Sequence, residues 1–310
     1  MASVASGRDT APMAALSRQY NKLCDLPDFD DPALRAMLRE IVAPGYTPEE
    51  ELRRKFWEYA MLGLYLEEVG ALREDAQVLS VAAGHEEPLY WLANRAGRVV
   101  ATDIYGEGSF AVDGREADRS MLEDPGQWAP YPYREDHLEV RSMDALALEF
   151  PDAAFDVVFS LSSIEHFGPP ESIQRAAAEM SRVLKPGGHL VIVTEYLIKP
   201  HPLDWPPLQA AIKVLSGGRR CENATVRQRL TDTFRPRELR RDVIAPTGLE
   251  PIQPLDTTLS PSTFENVITW IGDAPMRPAT GRDYPHILLK GHGSPWTSAF
   301  VGFHKPGSAR

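Results

Sequence analysis

The stretch FDVVFSLSSIEHFG, residues 155–168, is where this chain most plainly gathers groups that could do chemistry. Phe155, Val157, Val158, Phe159 and Leu161 form an apolar run too short for a helix, which predicts a buried strand. The run then breaks into two serines and the adjacent Glu165 and His166. An imidazole at the end of a strand is a means of accepting a proton, because histidine titrates near neutral pH. On this reading His166 is a general base, and Glu165 orients it or binds substrate. The opposing reading has Glu165 capping the next helix and His166 packing there. Asp103 and Asp144 end two further short apolar runs, and Gly84 follows a third. Aspartates also close strands simply as turn formers.

The elements that must position these groups alternate. QVLSVAA (77–83), RVVATDI (98–104), LEVRSMD (138–144), FDVVFSL (155–161) and HLVIVTE (189–195) read as five strands. Ile173, Ala176, Ala177, Met180, Val183 and Leu184 predict an amphipathic helix stopped by KPGG at 185–188. A helix over RPRELRRDVIAPTG, a sixth strand at 249–256 and a last one at 298–305 complete the reading. Such alternation implies a mostly parallel sheet covered by helices on both faces. Ahead of it, Thr47-Pro48-Glu49-Glu50 reads as a capping box for a helix that ends near Gly70. The chain therefore divides into a helical N-terminal cap, 1–75, and an α/β domain, 76–310. Three excursions, 105–137, 196–235 and 257–297, follow strands and are expected to wall or cover a site at the sheet's carboxyl edge.

Composition narrows the partners. With 310 residues, 43% hydrophobic, the chain is large enough for one elaborated domain. A net charge of −11, with basic clusters only at 217–220 and 235–241, argues against a nucleic-acid partner. Those clusters read as solvated helix faces. No secretory signal or membrane-length apolar segment is present. Cys24 and Cys221 match no zinc or redox spacing, so the reading favours the reducing cytoplasm. The Asn223-Ala224-Thr225 sequon is then a chance match.

In order, VLSVAAG, VVATDIYG, MDALALEFPDAAFDVVFSLSSIEHFG and EMSRVLKPGGHLVIVTE resemble the motifs of a class I S-adenosylmethionine-dependent methyltransferase, over about residues 77–195 and the last strand. The resemblance implies a Rossmann-like fold with seven strands, the last antiparallel, and S-adenosylmethionine as cofactor. It implies cofactor contacts from Ser80, Ala82, Gly84, Asp103, Ile104, Asp144, Ala145 and Ser160, with Asp103 on the ribose hydroxyls and Asp144 on the adenine amino group. His166 and Glu165 would then face the acceptor. The chain departs from the family pattern at Ser80, where an acid is usual, and at Ala82 and Glu86, where glycines are usual. An EH pair here is also similar to that of methyltransferases holding a divalent ion, with His201 or His286 as further ligands. That reading is not favoured, and no metal residue is assigned.

Strand four ends in SLSS and lacks the NPPY-type tetrapeptide of amino-group methylation. The excursions carry QWAPYPYREDH and GRDYPHILLKGHGSPWTS, which suit a polar, ring-shaped acceptor. The expectation is O-methylation of a sugar, glycoside or other small natural product. Tyr284, His286 and Trp296 are alternatively packing residues. A different class, a non-catalytic cofactor-binding or scaffold protein, is raised by the eroded glycine motif.

Overall fold

The computed structural model describes residues 15–108, 117–199, 232–270, 285–291 and 294–307, with short pieces at 211, 214–215, 217 and 277–278. His201, Cys221, Asn223 and Tyr284 lie outside the described residues.

Five strands form a parallel core: β2 (Gln77–Val81), β3 (Arg98–Asp103), β4 (Leu138–Ser142), β5 (Phe155–Leu161) and β6 (Leu184–Leu197). Their order in the sheet is β4-β3-β2-β5-β6. The chain starts at the centre, builds outward through β3 and β4, then crosses to β5 and builds the other way. The reversal between β2 and β5 opens a crevice at the strands' carboxyl ends, where open α/β sheets bind ligands. The last strand, β10 (Ser294–His304), runs antiparallel to β6, pairing Trp296 with Leu197 through His304 with His189. This is a Rossmann-like α/β fold with a mostly parallel core.

Each face of the sheet carries its own hydrophobic core. On one, α1 (Pro32–Ile41), α2 (Arg54–Glu68) and α3 (Pro88–Ala93) pack Trp57, Leu66 and Trp91 against Val78, Val157 and Phe159. The N-terminal helices thus share the core of the sheet. On the other, α5 (Pro170–Val183) and the helical segment 236–247 cover Leu79, Val158 and Ile192. Between them in the chain lies a short helix, α4 (Ser120–Glu123). α5 follows the predicted pattern, with Pro170 in its first turn and Ile173, Ala176, Ala177, Met180 and Val183 buried. Gly188 is required by close packing, since a Cβ there would lie 2.8 Å from Asp156 O.

Three expectations need correction. The helix α2 starts at Arg54, and the Thr47 box forms only turns, Thr47 O accepting from Glu50 N and Glu51 N. Residues before it are held extended because Leu52 O accepts from His286 N at 2.7 Å and Arg54 N donates to His286 O at 2.9 Å. Segment 249–256 is no strand; it touches the sheet through single bridges, Pro251 to Phe303 and Asp256 to Lys22. Pro251 and Pro254 supply no N–H for a ladder. The short strand β1 (Lys22–Leu23) takes part of that edge of β10. Finally, the described part of 257–297 is largely sheet: β7 (Val267–Trp270), β8 (Arg277–Pro278) and β9 (Leu288–Gly291) extend the β10 edge.

Candidate functional site

A cleft of about 380 Å³ opens at the predicted edge. Its lining comes from the tips of all four strands around the reversal: Ala82, Gly84 and Glu86 after β2, Asp103 and Ile104 from β3, Asp144 to Leu146 after β4, and Ser162, Ser163 and His166 after β5. Lys55 of α2 and Ala117 of the first excursion close its sides.

The turn after β2 is held in a tight left-handed geometry, with Ala82 at φ 53° and Gly84 at φ 51°. Glycine adopts that conformation freely, whereas alanine costs about 1–2 kcal/mol there. Asp103 locks the turn: its Oδ2 accepts from Gly84 N at 2.9 Å, and its Oδ1 accepts from Ile104 N at 2.8 Å. Tyr105 OH donates to Gly84 O at 2.6 Å from beneath. The first excursion packs down on the same turn, the ring of Trp128 stacking on His85 at 4.0 Å between centroids. Asp144 opens an Asx turn, accepting from Leu146 N at 2.8 Å. Between the two aspartates, Ile104 keeps 43% of its surface exposed, and Met143 and Leu146 also line the cleft. An apolar slot flanked by two carboxylates fits a nucleoside, its base against the apolar walls and its polar groups on the acids.

Of the residues singled out from sequence, Ala82, Gly84, Asp103, Ile104, Asp144, Ala145 and His166 line this cleft together. Ser80 and Ser160 do not. Each sits inside a strand paired on both sides and is buried, Ser80 against Ala101 and Phe159, Ser160 beside Ile192. Glu165 also departs from expectation. It occupies a 3-10 turn, Ile164–His166, in which successive side chains point about 120° apart. His166 consequently reaches the cleft, one-third exposed, while Glu165 turns inward and is buried. Thr194 Oγ1 donates to Glu165 Oε2 at 2.7 Å, and the Glu165 Oε1 atom has no hydrogen-bond partner among the described residues. Burial, with the Glu195 charge next, pushes the Glu165 carboxyl up to about 8. The carboxylate beside His166 is instead Asp232, with Oδ1 4.0 Å from His166 Nδ1. The second excursion brings it there by returning to its own starting strand, where Phe234 bridges Tyr196.

Sequence reasoning missed the charged groups under the cleft. Arg54, Lys55 and Glu58 follow each other on α2, and Glu58 is fully buried. Glu58 Oε1 accepts from Ser162 Oγ at 2.8 Å and lies 3.3 Å from Arg54 Nη1, and Arg54 Nη2 pairs with Glu195 at 2.5 Å. Lys55 Nζ pairs with Glu86, lies 3.4 Å from Glu58 Oε2 and donates to Leu161 O at 2.9 Å. The available signal was a lysine and a glutamate set among the apolar residues of a helix.

His286 does not line the cleft, and burial lowers its imidazole to about 4. Among the described residues, no cluster of three or more His, Cys, Asp or Glu side chains is arranged to hold a metal ion.

The family described as "Methyltransferase domain" matches residues 79–192, which contain most of β2, all of β3 to β5 and most of the cleft lining. Residues 79–192 belong to the class I S-adenosylmethionine-dependent methyltransferases. The chain is similar to "Methyltransferase GfsG" of Streptomyces halstedii, 29% identical over 57% of this chain and 58% of that one. It is similar to "27-O-demethylrifamycin SV methyltransferase" of Amycolatopsis mediterranei, 31% identical over 42% of each. A third relative, the "Ubiquinone/menaquinone biosynthesis C-methyltransferase UbiE" of Bordetella parapertussis, is 29% identical over 64% of this chain and 71% of that one. The chain spans about half the length of the first two relatives. The cofactor of the family is S-adenosylmethionine, and the cleft fits it. No described helix is long and apolar enough to cross a membrane.

Proposed function

We infer that this protein is an S-adenosylmethionine-dependent methyltransferase that methylates a hydroxyl of a sugar, glycoside or other small natural product. The observation that carries this reading is His166, exposed to the same cleft as Asp103 and Asp144. Asp103 and Asp144 would hold the nucleoside, with Ile104 and Ala145 against its base and the Ala82–Gly84 backbone beside it. The cofactor, when bound, supplies a methyl carbon activated by a sulfonium. A hydroxyl acceptor must lose its proton as it is methylated, and the His166 imidazole lining the cleft is a base that can take it. Asp232 would steady the imidazole and its positive charge once protonated.

The relatives' names include oxygen, nitrogen and carbon acceptors, so the hydroxyl rests on His166 and not on similarity. A small acceptor is supported by the natural-product substrate in the name of the Amycolatopsis relative and by the chain's acidic balance. Two cysteines without metal or redox spacing support a reducing, cytoplasmic setting. In His166→Ala, turnover on an acceptor panel should fall roughly 10²–10⁴-fold. Affinity for S-adenosylhomocysteine, measured calorimetrically, should stay within about twofold. Near-parental turnover would remove His166 from the chemistry. A parent that binds cofactor and turns over no acceptor would support the non-catalytic alternative.

A further inference from the structure

The cofactor carries, opposite its nucleoside, a free α-amino acid: an ammonium and a carboxylate on one carbon. Resting on the methyltransferase reading above, we propose that Lys55 and Glu86 are the clamp for that zwitterion, Lys55 taking the carboxylate and Glu86 the ammonium. The placement follows from the strand order. Asp103 and Asp144 end β3 and β4 and so mark the nucleoside half of the cleft. An elongated ligand with its nucleoside there has its other end over β2 and β5. At that end the cleft is lined by Glu86, beyond the turn after β2, and by Lys55, whose ammonium is bonded to Leu161 O at the tip of β5. Ser80 is buried within β2 and offers nothing to the ligand.

The two side chains already form an ion pair, with 31% of Lys55 and 11% of Glu86 exposed. A lysine–glutamate pair can part to receive a zwitterion, each charge exchanging one opposite partner for another, with no change in net charge. Lys55 is also steadied from behind by Glu58 at 3.4 Å and by the Tyr59 ring at 5.7 Å. A pre-positioned ammonium loses less freedom on binding than a solvated one. The clamp is split between elements, Glu86 on the turn and Lys55 on α2, so the N-terminal helix contributes to the cofactor site.

The test uses the full-length protein, calorimetry, and three probes: S-adenosylhomocysteine, its decarboxylated analogue and 5′-methylthioadenosine. The parent should bind the decarboxylated analogue roughly ten- to a hundredfold more weakly than S-adenosylhomocysteine, the loss expected of a charge-assisted bond. Lys55→Met should bind the two about equally. Glu86→Gln should lose roughly tenfold or more for S-adenosylhomocysteine while keeping parental affinity for 5′-methylthioadenosine. The parent comparison needs no folded variant. If the parent binds S-adenosylhomocysteine and its decarboxylated analogue equally, the clamp is wrong and the methyltransferase reading stands. If Lys55→Met and Glu86→Gln, folded by their melting curves, bind S-adenosylhomocysteine as the parent does, the pair is only a tie between helix and turn. If the parent binds none of the probes, the cofactor reading fails and takes the clamp with it.

Discussion

Asp103 serves the fold and, in the function proposed above, the ligand with one carboxylate. Its bonds to Gly84 N and Ile104 N fix the turn after β2 against the tip of β3. An ionised carboxylate offers about four acceptor sites, so two backbone bonds orient it without exhausting it for a pair of ribose hydroxyls. Each charge-assisted bond is worth about 1.5–3 kcal/mol. Asp103→Ala should therefore weaken S-adenosylhomocysteine binding on the order of a hundredfold by calorimetry. Unchanged affinity in a folded variant would rule out the ribose role. Strain gathers at the same level, since Ala82 at φ 53° and Ser162 at φ 50° both sit just past strand tips that face the cleft. Such conformations persist where surrounding contacts over-determine them, as Ser162 Oγ on Glu58 does here.

Helix α2 is pinned to the sheet by charges that apolar periodicity does not reveal. Glu58 is fully buried and takes hydrogen bonds from Ser162 and Ser298 while facing Arg54 and Lys55. It thereby ties the helix to the tip of β5 and to the middle of β10. Removing one partner of a buried ionic network leaves the other charges uncompensated, which costs about 3–5 kcal/mol. Glu58→Ala should lose stability on that scale in urea unfolding, and Lys55 should then hold the cofactor less well. A loss below about 1 kcal/mol, the range of surface pairs, would show that the network does not anchor α2.

Across the molecule, two cores cover opposite faces of one sheet, and Glu165 is buried in the turn past the end of β5, within reach of the Glu195 and Glu58 charges. A carboxyl raised to about 8 binds its proton in the folded state well above the pH at which the unfolded chain binds it. The stability this gives is full below the ordinary carboxyl range and is lost as pH rises toward about 8. Glutamine mimics the protonated form and does not titrate. Between about pH 5 and pH 8.5, Glu165→Gln should accordingly gain stability relative to the parent, read as a difference in melting temperature. A difference that does not change with pH would show that Glu165 is ionised throughout.

What the sequence settled by itself were features set by local rules. Strand-length apolar runs ending in Asp103, Asp144 and the SLSS tetrapeptide identified β3, β4 and β5, because strand character and side-chain alternation are local. The KPGG run at 185–188 marked where α5 ends. The residues that line the cleft from β3, and just past β2 and β4, followed, since strand tips can be counted; Ser80 and Ser160, inside their strands, did not. Tertiary structure decided what depends on partners distant in the chain. His286 pulled residues 52–54 out of the helix predicted from 47. Prolines in 249–256 lost the sheet edge partly to β1, more than 220 residues earlier. A one-residue step around a 3-10 turn sent His166 to the cleft and Glu165 into the interior, where Asp232, from the return of an excursion, replaced it as the imidazole's neighbour. Lys55 meets Glu86 across 31 positions only because α2 packs over the reversal between β2 and β5, and no spacing rule in a linear sequence encodes that contact.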